Sequence, residues 1–225
     1  MINKNILIVG GTGCGKSVLC NVLTNTDEFK EGEYTVSETL KIQIRCFALN
    51  GIKYSVVDTV GIGNINVTVR DVLSSIIEKI NSISEGISQV LLVTDGRFQA
   101  EEIEIYDLLK GIFKAGFVTI VRTNFASFQN KDECKKDIKK ILEGNNRIAE
   151  ITRSCKVIHV DNPPTDIKCE NDSDVEDIRR TNEMNSRYRK KSREKLLNHL
   201  EKVCQNDKTK TWKKIFGSIK MIKKK

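Results

Sequence analysis

The residues best suited to chemistry lie between positions 10 and 18 of the chain. They are Gly10, Gly11, Thr12, Gly13, Cys14, Gly15, Lys16, Ser17 and Val18, and they include a complete G-x-x-x-x-G-K-S pattern. Closely spaced glycines let successive backbone N–H groups surround a phosphate, and the start of a following helix adds partial positive charge. In this pattern the lysine reaches the β- and γ-phosphates, and the serine hydroxyl binds Mg²⁺. The segment predicts a nucleotide-binding site.

The sequence on either side of this phosphate loop supports that prediction. The apolar residues Ile6 to Val9 come directly before the glycines, and a helical stretch begins at Ser17. A loop of this kind works only as a turn from a strand into a helix. A chance glycine-rich turn is the alternative, but it would not require both neighbours.

A second pattern, D-x-x-G, occupies Asp58 to Gly61. It ends the return strand of a predicted hairpin, because Asn50-Gly51 separates two strand-like runs and is a strong signal for a hairpin turn. Antiparallel pairing at this place is typical of Ras-like GTPases and not of purely parallel P-loop folds. There the aspartate lies beside Mg²⁺, usually through a water, and the glycine N–H points at the γ-phosphate.

The polar loop of residues 25–38 and the residue that follows it should supply a hydroxyl that senses the γ-phosphate. Thr35, Ser37 and Thr39 all qualify, and each of them is equally well explained as a solvated residue. Thr39 is preferred because it is nearest to the next strand. We therefore expect Ser17, Asp58 and Thr39 to hold Mg²⁺. Lys16, Thr39 and Gly61 are the candidates for a role in hydrolysis.

The remaining elements predict the architecture that positions these residues. Continuous apolar runs at 89–93, 117–121 and 157–160 are typical of buried strands, and helical stretches at 69–80, 101–113, 131–142 and 175–203 alternate with them. This alternation predicts a doubly wound α/β sheet of the P-loop, Ras-like class, with one antiparallel strand pair and helices on both faces. The lone His159 is expected to be a packed imidazole. We expect one G domain over residues 1–205 and a tail over 206–225.

Charge and cysteine content narrow the possible partners. The net charge is +8, and residues 208–225 alone contain eight lysines and no acidic residue. The rest of the chain is balanced, which argues against a nucleic-acid-binding face. The seven cysteines form no C-x-x-C pair, which indicates reduced thiols in a cytoplasmic protein.

The tail itself leaves three interpretations open. Its apolar residues follow helical spacing between lysines, which is typical of a basic amphipathic helix that touches an anionic membrane surface. The same pattern fits a helix that docks on the domain, and also a frayed end. Peripheral membrane contact is therefore one hypothesis among three.

Residues 95–102, Asp-Gly-Arg-Phe-Gln-Ala-Glu-Glu, carry a more specific signal. They resemble the box L-G-R-[FY]-T-x-E-[ED] of the immune-associated nucleotide-binding proteins, the avirulence-induced-gene type of GTPase domain. Together with the phosphate loop and D-x-x-G, the resemblance covers about residues 5–165. That family is related to septins and to the chloroplast import GTPases. The resemblance implies GTP or GDP as ligand, slow hydrolysis and a homodimer formed through the nucleotide face.

Two departures from GTPase patterns weaken that expectation. Ile62 stands where Ras-like enzymes place a water-orienting glutamine, so hydrolysis should be slow unless a partner subunit supplies a polar group. The guanine-selecting aspartate of T-x-x-D is replaced in the segment from Thr123 to Ala126, and Asp95 follows a different strand. Asn162 matches an asparagine that the family uses near the base, although a plain turn residue explains it equally well.

These observations leave two hypotheses. The first is a Mg²⁺-dependent GTP-binding switch with slow hydrolysis and nucleotide-dependent dimerisation. The alternative is a non-catalytic interaction module of the same fold that holds nucleotide with relaxed base selectivity.

Overall fold

The computed structural model describes residues 2–29, 43–59, 86–96, 98–113, 116–168 and 174–204 of the chain. Within these residues a six-stranded sheet has the order β2-β3-β1-β4-β5-β6. Its strands are β1 (Ile2–Gly10), β2 (Gln43–Leu49), β3 (Ile52–Asp58), β4 (Gln89–Asp95), β5 (Val118–Thr123) and β6 (Lys156–His159). β2 pairs antiparallel with β3, whereas β1 is parallel to β3 and β4, and β5 is parallel to β4 and β6. The predicted Ras-like sheet is confirmed.

Five helices surround the sheet in the described part of the chain. They are α1 (Lys16–Thr24), α2 (Ala100–Ile112), α3 (Lys131–Glu143), α4 (Asn146–Ser154) and α5 (Val175–Val203). Successive side chains of β1 separate two cores: Ile6 and Ile8 pack in a cluster with α1 and α5, and Leu7 and Val9 pack in a cluster with α2 and α4. Because both faces of β1 are buried at residues 6–9, this part of the strand is continuously apolar. Helices therefore cover both faces, as predicted.

Helix α4 was not expected from the sequence. Asn145 caps its N-terminus by accepting hydrogen bonds from the backbone N–H groups of Arg147 and Ile148. The short helix buries Ile151 and leaves its other face polar. The signals were an asparagine cap and two isoleucines three residues apart, but nine residues offer too short a window for periodicity to stand out.

The long helix α5 runs from one end of the sheet to the other. Near its middle Ser192 bonds to Asp161, which follows the carboxyl end of β6. Near its end Glu201 accepts a hydrogen bond from Asn50, in the hairpin turn at the opposite end of the sheet. No helix in the described ranges has both the length and the apolar character of a membrane span. The predicted helix at 69–80 and the tail at 206–225 lie outside those ranges.

Candidate functional site

The phosphate loop connects β1 to α1, as the pattern predicted. Gly13 and Gly15 have φ angles of +79° and +83°, which L side chains rarely adopt. Gly10, with φ of +156°, is packed more tightly, because a Cβ there would lie 2.3 Å from the carbonyl oxygen of Val93 in β4. These glycines let the loop turn sharply while it lies directly on the end of the sheet.

Lys16 begins α1 and lies across the loop. Its side chain is buried, and Nζ donates a hydrogen bond to the carbonyl oxygen of Gly11 at 2.5 Å. The thiol of Cys14 lies 3.8 Å from the same ammonium group. Burial raises the pKa of the Cys14 thiol to about 11, so this group stays protonated and neutral at physiological pH. The positive charge of Lys16 is therefore not neutralised by the thiol beside it.

Ser17 and Asp58 meet at one corner of this loop. The Ser17 hydroxyl donates to Asp58 Oδ2 at 3.0 Å, and Asp58 is only 6 % exposed. Parallel pairing places Asp58 beside Ile8 of β1, and Thr59 donates to the Ile8 carbonyl oxygen at 2.7 Å. Burial raises the pKa of Asp58, while the Ser17 hydroxyl and the Lys16 ammonium act in the opposite direction. The start of α1 and the end of β3, which are far apart in sequence, thus meet at the phosphate loop.

The residues at this corner fit Mg²⁺. Asp58 Oδ1 is buried and has no hydrogen-bond partner among the described residues, so a carboxylate oxygen is left for a cation. Among the described residues no group of three His, Cys, Asp or Glu side chains is arranged to hold a metal. Mg²⁺ commonly uses one or two carboxylates and completes its shell with waters and substrate phosphates. The Ser17 hydroxyl and the Asp58 carboxylate, beside a phosphate loop, match this coordination preference.

Thr123, at the end of β5, contacts the phosphate loop. Its hydroxyl donates to the Cys14 carbonyl oxygen at 2.9 Å and lies 3.2 Å from the carbonyl oxygen of Thr94. A Cβ on Gly15 would lie 3.7 Å from the Thr123 side chain. The Thr123 hydroxyl therefore links the phosphate loop to β4 and β5. Its O–H group donates to backbone carbonyl oxygens.

Next to Thr123, two polar side chains pair at the carboxyl edge of the sheet. Asn124, with φ of +51°, donates from Nδ2 to Asp95 Oδ2 at 2.8 Å. Asp95 is the last residue of β4 and Asn124 directly follows β5, whose last residue, Thr123, is aligned with Asp95. Ala126, at the usual aspartate position, is exposed. Sequence reasoning missed the Asn124–Asp95 pair, although strands that end at the same edge bring their following residues together.

Asn162 follows β6 and is the most unusual polar residue of the site. It is 8 % exposed, and within the described ranges neither Nδ2 nor Oδ1 has a hydrogen-bond partner. The Phe125 backbone N–H donates to the carbonyl oxygen of Val160 at 3.2 Å, so the segments after β5 and β6 are adjacent. A buried amide without partners requires an explanation, because leaving its donor and acceptor unmet costs free energy.

Beneath this segment Asp137 of α3 joins two strands. Its carboxylate accepts two hydrogen bonds from Arg122, at 2.8 and 3.1 Å, and lies 2.8 Å from His159 Nε2. The His159 ring also packs at 4.6 Å from the Phe125 ring. Burial lowers the pKa of His159. It is a packed imidazole, as the sequence suggested. Of the other predicted site residues, Thr39 and Gly61 lie outside the described residues.

The sequence profile of the AIG1 family matches residues 4–223, nearly the whole chain. The chain belongs to the AIG1 family. This membership confirms the resemblance drawn from residues 95–102 and the phosphate loop.

Two relatives from Arabidopsis thaliana extend the comparison. Immune-associated nucleotide-binding protein 10 is 35% identical over 113 residues, which cover 49% of this chain and 24% of that protein. Immune-associated nucleotide-binding protein 7 is 28% identical over 142 residues, which cover 62% and 46%. The aligned part of this AIG1 chain spans less than half the length of either relative.

Solved structures share the fold of this AIG1 domain. Arabidopsis thaliana Toc33 in complex with GDP and Mg²⁺ superposes with a TM-score of 0.55 at 14% identity, covering 84% of this chain and 86% of that chain. A dimerisation-deficient mutant of Toc33 gives a TM-score of 0.53 at 16% identity, covering 77% and 76%. At these identities the likeness shows the P-loop GTPase fold.

Proposed function

We propose that this AIG1 domain is a GTP-binding switch that holds Mg²⁺–GTP, hydrolyses it slowly and dimerises in response to the nucleotide. One observation carries the proposal: the Ser17 hydroxyl lies 3.0 Å from Asp58 Oδ2, beside the buried Lys16, while Asp58 Oδ1 has no hydrogen-bond partner in the described part of the chain. This is the arrangement that a triphosphate and its Mg²⁺ require at a phosphate loop.

The residues divide the work at the phosphates. Backbone N–H groups from Gly11 to Ser17 surround the β-phosphate, and Lys16 neutralises charge on the β- and γ-phosphates. Ser17 and Asp58 hold Mg²⁺, which supplies charge stabilisation at the phosphoryl group when bound. Thr39 and Gly61, at the positions expected to contact the γ-phosphate, would make binding sensitive to whether GTP or GDP is present.

We expect the purine base to be recognised by Asn162, which lies after β6 and therefore apart from the phosphate loop. The unpartnered amide of Asn162 offers one donor group and one acceptor, which suits the edge of a purine. Alanine at position 126 means that the usual aspartate position offers no carboxylate to select guanine through charge-assisted hydrogen bonds. Such a bond contributes about 1.5–3 kcal/mol, so its loss costs one to two decades of preference for GTP over ATP.

Slow hydrolysis follows from Ile62, because an aliphatic side chain cannot orient the attacking water. Dimerisation is supported by comparison, since a dimerisation-deficient Toc33 mutant implies that the unmodified protein dimerises. A partner subunit that meets the nucleotide face would be able to supply the missing polar group. The alternative is a non-catalytic module that binds nucleotide without useful turnover, and Ile62 and Ala126 are the observations that favour it.

Calorimetry with Mg²⁺–GTP, Mg²⁺–GDP and Mg²⁺–ATP tests binding. We expect micromolar-class affinity for GTP and GDP that Lys16→Ala abolishes. Lys135→Ala is the matched control, since its side chain is 77 % exposed and pairs with neighbouring Asp132 on α3. If the wild-type protein released no heat with any of these nucleotides, or if the two variants behaved alike, the proposal would be wrong.

Sizing the protein with GDP and with a non-hydrolysable GTP analogue separates the two functions. Dimers that form only with the analogue, together with slow phosphate release, support the switch. Identical monomers and no phosphate release support the passive module.

A further inference from the structure

Helix α5 carries a stripe of polar side chains along one face. Asn182, Asn185, Arg189 and Ser192 are spaced by three, four and three residues, which places them on the same side of the helix. Asn185 and Ser192 are buried, as is Leu196, which continues the same side into the core. Polar side chains that are buried or half-buried on a helix require hydrogen-bond partners, because unmet polar groups are costly.

The two stripe residues nearer the C-terminus of α5, Arg189 and Ser192, form hydrogen bonds with the backbone at the start of the segment after β6. Ser192 Oγ accepts from the Asp161 N–H at 3.0 Å and donates to the Asp161 carbonyl oxygen at 2.7 Å. Arg189 Nε donates to the carbonyl oxygen of Pro163 at 2.7 Å. The residues on both sides of Asn162 are therefore held by α5.

The two stripe residues nearer the N-terminus of α5, Asn182 and Asn185, form hydrogen bonds with the rest of the same segment. Asn185 Nδ2 donates to the carbonyl oxygen of Pro164 at 2.7 Å. Asn182 makes a two-way contact with Ile167, donating to its carbonyl oxygen at 3.0 Å and accepting from its N–H at 3.1 Å. Residues 161–167 form no helix or strand, so these side chains provide the hydrogen bonds that a sheet or helix would otherwise supply.

We propose that this α5 stripe, formed by Asn182, Asn185, Arg189 and Ser192, positions Asn162 for the purine base. The inference rests on the proposed nucleotide function and assigns to α5 a share in retaining the base. The stripe residues are positioning residues, because they act on the backbone that carries Asn162. The phosphate loop is held separately, by Thr123 and by the strands beneath it.

Because the phosphate loop and the base-binding Asn162 are held by different contacts, these two parts of the site can be tested with two ligands. GTP contacts both halves, whereas ribose 5′-triphosphate keeps the sugar and phosphates and lacks the base. We expect Asn185→Ala and Ser192→Ala each to weaken GTP binding about fivefold to tenfold, as expected for a lost hydrogen bond. The affinity for ribose 5′-triphosphate should stay within about twofold of wild type, because no phosphate contact changes.

Asn198→Ala is the matched control for Asn185→Ala. Asn198 lies on the exposed side of the same helix, and we expect its substitution to leave both affinities unchanged. Asn182→Ala removes a contact at the less buried end of the stripe and should give the same selective loss even if a variant at a buried position fails to fold.

Three results would overturn the inference. Folded variants that bind GTP like wild type would show that the stripe does not position the base. An equal loss for GTP and ribose 5′-triphosphate would show a general structural effect instead. A wild-type protein that binds ribose 5′-triphosphate as tightly as GTP would show that no base contact exists, whereas wild-type protein that binds neither ligand would refute the proposed function itself.

Discussion

Replacing Asp137 by alanine is expected to destabilise the domain severely. Asp137 lies on α3, whose sequence is strongly charged, yet its side chain is only 15 % exposed. It faces Arg122, 8 % exposed, and His159, 2 % exposed. Among the residues that the structure describes, Arg122 Nη1 is buried without a partner and Asp137 accepts from the other two nitrogens, so removing the carboxylate would leave the guanidinium uncompensated.

The magnitude follows from the cost of an unpaired buried charge. Breaking a buried ion pair by removing one partner typically costs about 3–5 kcal/mol of unfolding free energy. For a domain of this size each kcal/mol lowers Tm by about 2–4 °C, so Asp137→Ala should lower Tm by about 6–20 °C. Replacing both charged partners with apolar residues, Arg122→Met with Asp137→Leu, should recover a large part of that loss, because neither buried charge remains.

Equilibrium unfolding in urea measures the effect. Asp132→Ala on the same helix is the control, because its side chain is 79 % exposed and its ion pair with Lys135 contributes less than about 1 kcal/mol. The reasoning would be refuted if Asp137→Ala cost no more than Asp132→Ala at an unchanged denaturant slope.

Other perturbations test separate parts of the structure. Gly10→Ala places a Cβ 2.3 Å from the Val93 carbonyl oxygen and should cost about 1–3 kcal/mol in urea unfolding, whereas wild-type stability would contradict the packing described. Ser17→Ala should weaken GTP binding about tenfold in Mg²⁺ and hardly at all in EDTA, and an equal loss in both would argue against a metal ligand. Burial lowers the pKa of His199 from 6.5 to about 4. Between these pH values the unfolded chain therefore binds a proton at this residue that the folded chain does not bind. Stability should therefore fall from pH 6.5 to 4, and the fall should be shallower in His199→Gln; equal slopes would contradict this.

The fold and the phosphate loop could be predicted because their signals are local. Glycines at fixed spacing permit one turn, and continuous apolar runs mark strands that are covered on both sides. The hairpin signal at Asn50-Gly51 was enough to predict the antiparallel pair that separates this class from parallel P-loop folds. The short helix α4 was missed, because nine residues give little periodicity.

The base side of the site was less accessible to sequence reasoning. Asn124 and Asp95 are 29 residues apart and meet only because β4 and β5 end at the same edge. Asn162 was a candidate that a turn residue explained equally well, and its burial without partners is a property of the packed structure alone.

A phosphate loop on an alternating α/β fold could be recognised from the amino-acid order, since turn chemistry and hydrophobic periodicity act between near neighbours. Which polar residues of α3 and α5 are buried depends on how these helices pack against the sheet. Their spacing resembles that of solvated helix faces. Asp137 and Ser192 nevertheless find partners 15 to 31 residues away, because helix packing brings them to the ends of β5 and β6.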